Sequence, residues 1–103
     1  MPYSSLTKYC EARSRIPCRP RRVRDRIIAG IVADWPEGVT DAAAIMQVLR
    51  DRGRQRARQE YGSLLLLIIG PLIAELIRLA IQWWLENRDH RRLLSEWNAK
   101  ANS

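Results

Sequence analysis

Residues 61–85 read YGSLLLLIIGPLIAELIRLAIQWWL. Within them Leu64 to Leu85 is a run of 22 residues with eight Leu and five Ile, interrupted by three strongly polar side chains, Glu75, Arg78 and Gln82. A helix of that length rises about 33 Å, against a bilayer hydrocarbon core of about 30 Å. Tyr61 at one end and Trp83 and Trp84 at the other stand where interfacial aromatics mark the two surfaces of a bilayer. The run therefore predicts a single transmembrane helix.

The same residues carry a second meaning. The charge-free part is only Leu64 to Ala74, eleven residues, and apolar runs of about 10–14 are typical of buried core helices. The insertion energies nearly cancel. Thirteen Leu and Ile contribute about −6 kcal/mol, and Glu75 and Arg78 cost about +2.5 to +3.5 kcal/mol each. A helix buried by neighbours in a soluble assembly is the alternative.

Pro71, Glu75, Arg78 and Gln82 are spaced by four, three and four. At 100° per residue they share one narrow stripe, and the rest of the circumference is apolar. In lipid such a stripe turns towards another helix or water. It predicts association between copies, with Glu75 and Arg78 pairing across helices or at i,i+3 within one. Gly70-Pro71 lies in the middle of the run. A proline there removes a backbone donor and clashes with the preceding turn, so a kink is expected at this point; the other form is a break into helices 54–69 and 71–95.

Upstream, residues 1–20 form a basic N-terminal arm. Ser4 or Ser5 caps a short helix through Arg13 with Leu6, Tyr9 and Cys10 on one face. Residues 21–35, RRVRDRIIAGIVADW, are amphipathic, with Val23, Ile27, Ile28, Ile31, Val32 and Trp35 on the apolar side. Thr40 is the expected N-cap and Gly53 the expected C-cap of the next helix, whose apolar face is Ala42, Ile45, Met46 and Leu49. Residues 21–60 thus predict an amphipathic helical hairpin. Its end carries Arg50, Arg52, Arg54, Arg56 and Arg58, like charges at i,i+4 that call for an anionic counter-surface. Residues 86–103 predict a short polar helical tail with an apolar cluster of Leu93, Leu94 and Trp97, fraying from Asn98. No strand pattern occurs, so the fold class is all-α: a helical hairpin followed by one long, Gly-Pro-kinked hydrophobic helix.

The net charge is +7, and +6 of it lies in residues 1–61. That asymmetry suits anionic lipid head groups or nucleic-acid phosphates. Cys10 and Cys18 have neither Cys-x-x-Cys spacing nor a nearby histidine, so free thiols are expected and no metal pattern is present. His90, between Asp89 and Arg91, is expected to be solvated. No catalytic constellation, phosphate loop or cofactor motif occurs, and no small-molecule substrate is implied.

The sequence thus predicts a non-enzymatic, single-pass membrane structural protein, of the kind found as a phage virion membrane protein or a holin-like pore former. It would have an internal N-terminus and self-associate through the polar stripe. The alternative is a soluble all-helical subunit of a larger assembly such as a phage particle. A third reading is a nucleic-acid-binding module using the arginines of 19–26 and 50–58.

Overall fold

The computed structural model describes residues 3–18 and 20–103; Arg19 and the first two residues of the basic arm lie outside the described residues. Four helices follow one another: α1 (Ser4–Arg13), α2 (Arg21–Asp34), α3 (Ala42–Glu86) and α4 (Arg88–Ala101). No strand occurs among the described residues.

α3 is not one rod. A straight helix of its 45 residues would span about 67 Å, yet the longest dimension of the molecule is 37 Å. Helical geometry is interrupted at Gly62 (φ 77, ψ 171), a backbone conformation open to glycine and strained for other residues. The chain folds back there, and the arms 42–61 and 63–86 pack against each other. The arms approach closely at Gly53. A Cβ placed on it would stand 3.3 Å from Ile73 Cγ2.

The alternative break at Gly70-Pro71 is corrected, and so are two caps. The interruption falls at Gly62, and Pro71 keeps helical dihedrals inside the second arm. Gly53 does not end a helix; it lets the two arms meet. The N-cap is Asp41, whose carboxylate accepts from the N–H groups of Ala43 and Ala44, and not Thr40.

The second arm of α3 is the central element. Leu72, Ile73, Leu76, Ile77, Leu79, Ala80, Ile81, Trp83 and Trp84 are all buried on it. α1, α2 and α4 cover this arc together with the first arm, which contributes Ile45, Leu49 and Ala57. From Leu72 onwards the apolar surface of this arm is largely covered by the chain itself, whereas Leu64 to Ile68 are not. α1 contributes Leu6, Tyr9 and Cys10, the face expected from its spacing, and α2 contributes Ile28, Ile31 and Val32. Trp35 lies against Trp84 with ring centroids 5.9 Å apart, and Trp97 stacks on Trp83 at 5.7 Å.

The helix ends are closed by side chains from distant elements, which matters because terminal carbonyls have no partner within their own helix. Asn98 Nδ2 donates to the carbonyls of Val32, Ala33 and Trp35, and Asn102 Nδ2 donates to Ala33 O. Arg52 donates to Asp34 O. The tail therefore does not fray at Asn98; it caps α2. At the end of α3, His90 Nδ1 pairs with Trp83 O at 2.8 Å and Arg91 Nε donates to Trp84 O. His90 is also stacked on Trp83 at 4.1 Å, so it is part of the fold and not a solvated side chain.

Candidate functional site

Among the described residues, a large apolar feature is left uncovered. Just after the Gly62 turn, Leu64 is 82% exposed, Leu67 78% and Ile68 74%, with Leu65 also exposed. Helical spacing puts Leu64, Leu67, Ile68 and Pro71 on one side of the second arm. The same side continues into Glu75, Arg78 and Gln82. The predicted polar stripe is thus the outward face of a core helix, apolar near the turn and polar beyond it.

The polar half is closed by bonds within the chain. Arg78 Nε donates to Glu75 Oε1 at 2.7 Å, and Arg78 also donates to Gln82 Oε1. The extended segment between α1 and α2 lies over Glu75, and the Arg15 N–H donates to its Oε2 at 2.8 Å. Glu75 is buried, Arg78 half-buried, and Pro71 and Gln82 exposed. The Arg78 hydrogen bond is the largest influence on the Glu75 carboxyl. With the Arg15 N–H it outweighs burial and holds the group below the usual carboxylate range.

The aromatic residues have different surroundings from those of an interfacial belt. Trp83 and Trp84 are in the core. Tyr61 is half-buried beside the α2–α3 contact, and its buried hydroxyl has no hydrogen-bond partner among the described residues.

The five arginines of the basic strip separate by helix face. Arg52 and Arg56 turn to α2. Arg56 pairs with Asp34 at 2.6 Å and lies over Gly30; that hydrogen bond raises its pKa above the ordinary arginine value against the effect of burial. Arg50, Arg54 and Arg58 are exposed at i, i+4 and i+8, and none makes an ion pair among the described residues. Arg50 and Arg54 border a groove between the two arms of α3 that also reaches Leu67. Leu67, at the end of the exposed ridge away from the turn, thus shares a groove with two of these arginines.

Of the described arginines in 19–26, Arg21, Arg22 and Arg26 are exposed. Arg24 is buried between Glu11 and Asp25, to both of which it donates. Burial pulls its pKa down, but these two acids more than offset that and raise it. It serves the α1–α2 contact. In α1, burial pushes the Cys10 thiol up to about 12. Burial first and then the hydrogen bond to Glu86 raise Tyr9 to about 12. Both cysteines are free thiols.

By length and composition, α3 is the one helix among the described residues apolar enough to cross a membrane, with 44% of its most apolar window buried inside the fold. No family model matches the chain, and neither does any curated protein or solved structure.

Proposed function

We propose that this chain is a non-enzymatic, membrane-associated structural protein that seats on an anionic bilayer surface by the turn end of α3. What supports this is the exposure of Leu64, Leu67 and Ile68 on the hairpin that also carries Arg50, Arg54 and Arg58, which are exposed and make no ion pair among the described residues, with Leu67 in one groove with Arg50 and Arg54. Burying three such side chains is worth about 4–9 kcal/mol before the costs of docking. Each arginine near an anionic surface adds about 1 kcal/mol. The ridge is aliphatic and carries no ring on which a base could stack, so nucleic acid is the poorer partner. Two copies meeting through this face would bring their arginine rows together, so self-association there is opposed by charge. The bonds of Glu75, Arg78 and Gln82 are intramolecular, and the proposal gives that stripe no role between copies.

In this reading the folded protein lies on the membrane with the ridge inserted among the acyl chains, as interfacial helices do. Co-sedimentation with vesicles tests it. Wild type should bind vesicles containing phosphatidylglycerol and not vesicles of phosphatidylcholine alone. The double variant Leu64→Asp, Ile68→Asp should stay folded, because both side chains are exposed, and should stay in the supernatant. Binding of that variant at wild-type level would reject the ridge. The second reading, a subunit of a larger assembly, rests on the same exposed leucines covered by protein. Failure of the wild type to bind any vesicle would favour it.

A further inference from the structure

The groove between the arms of α3 has a volume of about 360 Å3, within the range of ligand-binding clefts. Its exposed apolar wall includes Leu67, Pro71 and Ala74, and Arg50 and Arg54 line it too. It is open where Gly70 has no side chain: a Cβ built there meets nothing within 4 Å. Elsewhere the arms touch, at Gly53 against Ile73. A strip of apolar wall thus adjoins two cations at i,i+4 that make no ion pair among the described residues.

That pairing of chemistries selects an amphiphile. A free phosphate would meet the arginines and leave the apolar wall wet. A neutral lipid would cover the wall and leave the arginines without a counter-charge. We infer that the groove binds one anionic phospholipid, its phosphate between Arg50 and Arg54 and an acyl chain along Leu67, Pro71 and Ala74. This inference rests on the membrane-docking reading and deepens it: the ridge supplies attachment, and the groove supplies preference for an anionic head group.

The test uses full-length protein and a short-chain phosphatidylglycerol kept below its micelle concentration, with thermal stability as the readout. A ligand that binds the folded state raises the melting temperature in a saturable way. Wild type should show that rise. Short-chain phosphatidylcholine and inorganic phosphate should give none. Gly70→Leu fills the groove from a helical position with open space around it, and should abolish the rise. Arg50→Gln with Arg54→Gln, both at exposed positions, should abolish it too and serves as the check if Gly70→Leu does not fold. No rise in wild type, an equal rise with phosphatidylcholine or phosphate, or a rise that persists in these variants would overturn the inference. The docking reading fails separately. Leu64 and Ile68 do not line the groove, so vesicle binding that survives their replacement rejects the ridge whatever the short-chain lipid does.

Discussion

The backbone N–H of Arg15 donates to Glu75 Oε2 at 2.8 Å across sixty residues of sequence. The segment between α1 and α2 is thereby fastened over the one acid of the Leu64–Leu85 run. Glu75 is held twice, by this bond and by Arg78. Its burial is tolerable because both carboxylate oxygens have a donor, whereas an unpaired buried charge is strongly destabilising.

Glu75→Gln keeps an acceptor for one donor and loses the ion pair. Glu75→Leu leaves both donors without a partner. We expect both variants to unfold at lower urea concentration, by about 1–3 kcal/mol, with Leu the worse. Equal stability of Glu75→Leu and wild type would show that the segment is not fastened there.

Three glycines of α3 should respond differently to alanine. At Gly62 the positive φ makes any side chain strained, so Gly62→Ala should cost about 1–3 kcal/mol or let α3 straighten. At Gly53 the added carbon would stand 3.3 Å from Ile73 Cγ2, so crowding offsets the helix-propensity gain of Ala, and stability should fall from Ala to Leu as overpacking increases. At Gly70 nothing stands within 4 Å, and Gly70→Ala should gain about 0.5–1 kcal/mol from helix propensity. Denaturant titrations of the three single variants give the order directly.

Stability should fall in alkali. Tyr9 and Cys10 are acids whose pKa values are raised in the folded state, from 10.0 and 9.0 to about 12 in each case. The stabilisation from keeping them neutral is complete below the unfolded values. It is lost as pH rises from about 9 towards 12. Melting temperatures across that window should decline, and Cys10→Ala should make the decline shallower. A flat profile for wild type would contradict the burial of both groups.

Asn98→Leu should destabilise by about 1–3 kcal/mol, because it strips the donor shared by Val32, Ala33 and Trp35. Asn102→Ala should cost less, since its position is exposed. Equal, negligible losses would mean that α4 does not cap α2.

Local signals carried the helices well. The apolar spacing of α2 and the Leu6, Tyr9, Cys10 face of α1 are properties of a few neighbouring residues, and the structure has both. The turn in α3 was less legible. Gly53, Gly62 and Gly70 look alike in sequence, and Gly70-Pro71 is the stronger local breaker. Packing of the two arms selects Gly62 instead. Capping by Asn98 and ion pairing of Arg24 were also hidden, because their partners lie far along the chain. The arginine strip was legible as a charged row. Its division into Arg52 and Arg56 against Asp34, and Arg50, Arg54 and Arg58 facing outwards, depends on where α2 lies.

The most direct measurement is the distance between nitroxide labels at Gln47 and Gln82, in a background with Cys10 and Cys18 replaced by Ala, on protein bound to phosphatidylglycerol vesicles. Both positions are exposed, one on each arm of α3. If the folded hairpin docks on the bilayer, the labels stay near the separation of packed helices, roughly 10–20 Å. If α3 straightens at Gly62 and crosses the bilayer, they move to about 52 Å, and the docked hairpin is wrong.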